Sequence, residues 1–243
     1  AYVRAIGNHL LRSRQGGDAL VFAVTRLADK NASLVAWDAG RETVGHVFSR
    51  QALSMVWDFC ESALPSVADN VAANALSILQ GVVGYIAGAL SGDPGTVQAA
   101  DACESPLPDG SCAVWFTDPP YYDAVPYADL SDFFWVWAKR TLWGSQYAYN
   151  ALEPGNPLTP KAAEIVQDES RTYLGSPKGR AFFEDRMSGA FREGRRVLAN
   201  DGIGSVVFAH KTTEGWEALL SGLVGQGWTL TASWPIATER PDR

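Results

Sequence analysis

The run Ala113-Val114-Trp115-Phe116-Thr117-Asp118-Pro119-Pro120-Tyr121-Tyr122-Asp123 restricts this chain more than any other stretch. Apolar, β-favouring residues end abruptly in a carboxylate, two prolines and two tyrosines, the pattern of a buried strand that breaks off into a stiff loop. Strand ends of this kind are where open α/β sheets keep their ligands. Pro119 and Pro120 fix two successive φ angles and carry no N–H, so Asp118 and Tyr121 are expected on a rigid backbone whose carbonyls can accept hydrogen bonds. That set suits gripping an amino group beside a flat ring.

Around this run, helical and strand patterns alternate. Residues 1–30 read as helical, broken at Gly16-Gly17, with an apolar stripe at Leu20, Val21, Val24, Leu27 and Ala28 and with Arg4, Arg12, Arg14 and Arg26 outside it. Gln51 to Glu61 reads as a second helix carrying Met55, Trp57, Asp58 and Phe59, whose aromatic pair is expected in the core. Val71 to Leu90 repeats apolar residues at helical spacing, as a helix packed on a sheet does, and Gly92-Asp93-Pro94-Gly95 ends it. Strands are expected at 96–102, 112–117, 203–209 and 228–234, with a short helical turn within 103–111. Helices are expected from Asp129, over Arg180 to Leu198 and over Thr213 to Gly225, the long one closed by Asn200-Asp201-Gly202. This order predicts an α/β fold with a doubly wound, mostly parallel sheet. Residues 1–90 form its mainly helical N-terminal portion, packed on the sheet, and residues 91–243 its catalytic region. The stretch at about 144–178, polar and rich in Gly, Pro and Tyr, reads as a mobile loop over the site.

At 243 residues the chain has room for one α/β domain with a sizeable core. With 47% apolar residues and a mean hydropathy of −0.08, the composition is that of a soluble globular domain. No apolar run approaches the roughly 20 residues a membrane helix needs, so a membrane is not among the expected partners and a cytoplasmic location is expected. Cys60, Cys103 and Cys112 are odd in number and form no CxxC pair, which speaks against a disulfide framework and a zinc site. Each is expected as a small buried hydrophobe. A net charge of −7 and a pI near 5.0 count against nucleic-acid binding through bulk charge, and leave it to a local basic stripe or to another domain.

Asp118-Pro119-Pro120-Tyr121 resembles the DPPY motif of amino-methyltransferases, and the longer run TDPPYYDAVPYADLSDFF, Thr117 to Phe134, resembles the DUF1156-type adenine-specific DNA methylases. A weaker likeness extends from about Trp37 to the C-terminus, including Met55-Val56-Trp57-Asp58-Phe59 and Phe208-Ala209-His210-Lys211. The resemblance implies a Rossmann-like class I fold, S-adenosylmethionine (S-adenosyl-L-methionine) as methyl donor, and as acceptor the N6 amine of an adenine flipped out of DNA. It implies that Asp118 and the carbonyl of Pro119 accept the two amine protons, localising a lone pair otherwise delocalised into the ring, while Tyr121 stacks on the base. Further domains or subunits of a modification or defence system are implied as partners. In one respect the chain departs from the family, because no glycine-rich strand-to-helix turn of the kind that holds the methyl donor is found. Gly81 and Gly84 fall mid-helix, and Gly92-Asp93-Pro94-Gly95 precedes a strand. In the family that turn lies N-terminal to the matched region, so the chain is expected to be a fragment that binds S-adenosylmethionine weakly by itself. The same chemistry would serve N4 of cytosine, or an amine on RNA or protein. A non-catalytic nucleic-acid-binding or scaffold domain that keeps the motif is the reading from another class.

Several residues carry two readings. Tyr122, Asp123 and Tyr127 line the same pocket or simply pack. Asp101 ends the preceding strand, where such folds contact a cofactor, or forms an Asx turn. His210-Lys211 follows a strand end as proton shuttle or phosphate contact, or as a solvated pair. Arg192, Arg195 and Arg196 read as a solvated helix face, whereas Arg171, Lys178 and Arg180 flank the polar loop as candidate phosphate contacts.

Overall fold

The computed structural model describes residues 19–48, 52–60, 71–89, 95–122, 125–142, 148–150, 153–210 and 212–236. Expectations for residues 1–18, Glu61, 92–94, Asp123 and Lys211 lie outside the described residues. The architecture is mixed α/β, and the chain divides into two compact units: residues 1–99 with 126–161, and residues 100–125 with 162–243. No helix among the described residues is long and apolar enough to cross a membrane.

In the first unit, α1 (Leu20–Lys30) buries Val21 and Val24 of its apolar stripe together with Ala23. It ends where the Asn31 N–H donates to the Leu27 carbonyl at 2.9 Å. A short antiparallel ladder follows, β1 (Trp37–Asp38) with β2 (Thr43–Val44), turned by the Asp38 carboxylate accepting from the backbone of Gly40 and Arg41 at 3.1 and 3.2 Å. Val35, Val44 and Val47 are buried together, with Phe48 and Phe133 packed against them. The long helix α2 (Val71–Ala89) forms where periodicity places it and packs on α1, and most of its described side chains are exposed. The last helix of this unit, α3 (Tyr127–Thr141), starts two residues earlier than expected, directly after Pro126. Asp132 on α3 holds the loop beyond it, accepting from the Thr159 backbone at 2.9 Å and pairing with Lys161 at 2.7 Å. The helix expected at 51–61 is absent: residues 52–60 have no helical turn, and Met55 and Trp57 are 92% and 97% exposed instead of lying in the core. Trp57 and Phe59 are two apart, a spacing that puts no two rings on one helical face.

The second unit is built on β3 (Cys112–Thr117), which pairs in parallel with β6 (Leu198–Val206). Between them in sequence lie the hairpin of β4 (Asp168–Tyr173) and β5 (Ser176–Lys178) and the helix α4 (Arg180–Val197); α5 (Thr213–Gly225) follows β6. Phe183, Met187 and Phe191 of α4 and Leu219 and Leu223 of α5 form the buried cluster, against which Trp115 of β3 and Trp228 pack. The approach of α4 to β3 is close enough that Gly194 has no room for a side chain. A Cβ there would come within 3.0 Å of the Trp115 indole, nearer than real Cβ contacts allow. Within the stretch 144–178 that reads as a mobile loop, residues 168–178 form the β4–β5 hairpin.

Other strand expectations are corrected. Residues 96–102 make no strand, only an isolated bridge from Asp101 to Glu104, and residues 228–234 make none either. The segment 103–111 is turns without a helix. Asn200-Asp201-Gly202 does not close α4, which passes directly into β6. Two steps along β3, from Cys112 to Val114, face five along β6, from Leu198 to Ile203, so that triplet bulges out of the ladder. Among the described residues the parallel ladder thus has two strands. Nor is β3 fully buried, with Val114 and Phe116 63% and 67% exposed on one face.

Candidate functional site

Because β3 and β6 run parallel, the segments that follow them leave the same end of the ladder. Pairing continues one step beyond β6, where the Val207 N–H donates to the Thr117 carbonyl at 2.9 Å. From there Asp118 to Tyr122 extends one strand and Phe208 to His210 the other. This is the carboxyl end at which parallel α/β sheets bind ligands.

Asp118 is exposed and Pro119 buried, so the carboxylate stands on an anchored turn. Tyr121 donates from its hydroxyl to Asp118 Oδ1 at 3.1 Å. The Tyr122 N–H donates to the Pro120 carbonyl at 3.1 Å, leaving Tyr122 at φ 55°, in the left-handed region that residues with a Cβ seldom occupy. The Tyr122 carbonyl in turn accepts from the Gln167 backbone at 3.1 Å, which ties the motif to the chain just before β4.

Aromatic rings from four segments meet here. Tyr121 lies edge-on to Phe208 at 5.7 Å, and Phe208 is stacked on the His210 imidazole and edge-on to Trp216 of α5 at 5.2 Å. Tyr122 meets Phe183 of α4 at 4.9 Å and His210 at 5.7 Å. The Trp216 indole donates to the His210 carbonyl at 3.2 Å. Charge gathers at the rim of this cluster. Hydrogen bonds from its own backbone and from Thr212, with the charges of Arg180 and His210, hold the Glu214 carboxyl below its ordinary range. The Arg180 guanidinium, raised chiefly by its hydrogen bond to Glu184, also feels Tyr122 and Glu214.

Of the residues expected at the site, Asp118, Pro119, Pro120, Tyr121 and Tyr122 come together, Asp123 lies outside the described residues, and Tyr127 is the first residue of α3 in the other unit. Asp101 takes its turn-forming reading. It accepts from the Cys103 N–H at 2.8 Å, and both its oxygens take Arg186 Nη2, at 2.8 and 2.6 Å. A carboxylate spent on a guanidinium does not suit a cofactor hydroxyl, and Gly81 and Gly84 lie inside α2. Asp101, Gly81 and Gly84 are therefore not placed as contacts for the methyl donor, and no chemical step is derived through it. The candidate phosphate contacts are also engaged: Arg171 pairs with Asp168 at 3.0 Å, Arg180 with Glu184 at 2.7 Å, and Lys178, 1% exposed, lies over the Phe182 ring. Arg196 is no solvated face residue, since it binds Glu193, Asp109 and the carbonyls of Ser105 and Leu107, fastening the turn before β3 to α4.

The sequence reading missed Phe208, Trp216 and Phe183. The usable signal was the run Phe208-Ala209-His210 beyond an apolar strand, followed by an aromatic residue in the first turn of the next helix. Comparison with known protein families, characterised proteins and solved structures finds no match to this chain.

Proposed function

We propose that this chain supplies the acceptor half of an S-adenosylmethionine-dependent methyltransferase acting on the exocyclic N6 amine of adenine in DNA, on a Rossmann-like class I architecture. The observation that carries this reading is the Asp118-Pro119-Pro120-Tyr121 loop at the carboxyl end of β3, beside the rings that follow β6. Asp118 accepts one amine proton and withdraws it from conjugation with the ring, so that the nitrogen lone pair becomes available. The same carboxylate lowers the cost of the positive charge the nitrogen takes on as it is alkylated. Tyr121 offers a flat face for a base that has left its stack. When bound, S-adenosylmethionine supplies the electrophilic methyl group; its holding residues are not assigned.

The test is nucleoside analysis by mass spectrometry after incubating the protein with S-adenosylmethionine and duplex DNA of mixed sequence. N6-methyladenine in the wild type and its loss in Asp118→Ala are expected. N4-methylcytosine would reassign the acceptor. No methylated base, with donor binding demonstrated by calorimetry, would refute the reading.

A further inference from the structure

We propose that His210 is a positioning residue for the base-stacking face of Tyr121, working through Phe208 as a fixed ring and not as a proton carrier. The inference rests on the reading of the Asp118–Tyr121 loop as the amine-methylating site.

His210 is fixed at three points. Its Nδ1 accepts the Thr212 N–H at 3.2 Å. Its carbonyl accepts the Trp216 indole at 3.2 Å. Across from the ring stands Gly215, where a Cβ would come within 3.0 Å of the imidazole, so the first turn of α5 is shaped to admit that ring. A ring held at its nitrogen, its backbone and its face has little freedom to swing as a proton shuttle does.

What the fixed ring supports is the tyrosine pair. Phe208 stacks on it at 6.1 Å with 12° between planes, and meets Tyr121 at 89°. Tyr122 meets the opposite partner of the pair, the imidazole itself, at 81°. Phe208 and His210 are stacked and so present one surface, whereas consecutive side chains such as 121 and 122 diverge in extended backbone. The left-handed turn at Tyr122 removes that divergence and lets both tyrosines rest on the 208/210 surface. Non-glycine residues hold such a conformation only where their surroundings enforce it.

The experiment compares His210→Ala, His210→Phe and Phe208→Leu by NMR of ring-labelled tyrosine, with Tyr121 and Tyr122 assigned from their Phe variants, and by steady-state methylation of a duplex. Expected for His210→Ala is movement of both resonances, Tyr121 included although the imidazole reaches it only through Phe208. KM for DNA should rise a few-fold to about tenfold, the size of one or two aromatic contacts. His210→Phe should restore the Tyr121 resonance and most of KM, with the wild-type pH profile. Phe208→Leu should move Tyr121 while Tyr122 stays, a readout that survives if His210→Ala does not fold. An unmoved Tyr121 resonance in Phe208→Leu would overturn the relay. So would a His210→Phe variant with kcat lost and a limb of its pH profile missing, which would make the imidazole an acid or base. Should the wild type bind S-adenosylmethionine by calorimetry and methylate no adenine, the acceptor reading falls by that result, and the resonances still decide the relay.

Discussion

Tyr121 Oη donates to Asp118 Oδ1 at 3.1 Å, so the tyrosine of the motif rests on the carboxylate proposed to receive the amine. On the proposed function, an incoming N6 amine would compete for that oxygen or take the other. Tyr121→Phe removes the competitor and keeps the flat ring, and it should retain most activity, whereas Tyr121→Ala should lose about 1–3 kcal/mol of base stacking. Turnover on duplexes with the adenine matched or mismatched checks this, because a mismatched base is easier to extrude and the Ala deficit should shrink there. An inactive Phe variant would assign the role to the hydroxyl.

If Asp118 is the proposed amine acceptor, Asp118→Ala removes a preorganised group aimed at charge that develops during the reaction. Single-turnover methylation should slow by about 10²-fold or more, with donor affinity little changed. Retention of the single-turnover rate would remove Asp118 from the chemistry.

Asp101 gives the second unit an acid-sensitive brace. Burial pushes its carboxyl up, but the Cys103 N–H and the Arg186 guanidinium outweigh burial and hold it below the ordinary 3.8. A group depressed in the folded state contributes stability that is complete above its unfolded value and is lost as pH falls through its folded one. Asp101→Asn should therefore unfold at lower urea than wild type at pH 7, and the gap should close as pH drops below about 4. A gap independent of pH would mean that the carboxylate charge is not what Arg186 uses.

Gly194 and Gly84 should respond to alanine in opposite senses, although both are helical. At Gly84 no described neighbour lies within 4 Å of the added Cβ, so the gain in helix propensity, about 1 kcal/mol, should appear as a higher Tm. At Gly194 the Cβ meets the Trp115 ring, and overpacking of about 1–3 kcal/mol should exceed that gain. Thermal unfolding of the two variants against wild type decides it, and a stabilised Gly194→Ala would show that α4 can lift away from β3.

Sequence alone determined what depends on near neighbours. Helix α5 matches its expected bounds, α4 ends one residue short of them, and β3 is the expected strand, because helical spacing and a strand-to-proline break are written within a few residues. Asp118 and Tyr121 were legible for the same reason, being adjacent on a loop that two prolines stiffen. What needs a distant partner was decided by the tertiary structure. A strand exists only where another pairs with it, so 96–102 and 228–234, with β-like composition, form none. Asp101 is claimed by Arg186, 85 residues away, and no local pattern announces that pairing. The ring cluster of Tyr121, Tyr122, Phe208, His210 and Trp216 exists because β3 and β6 pair in parallel and release their following segments at one end of the ladder. Composition supplies the rings, but only the long-range register brings them together.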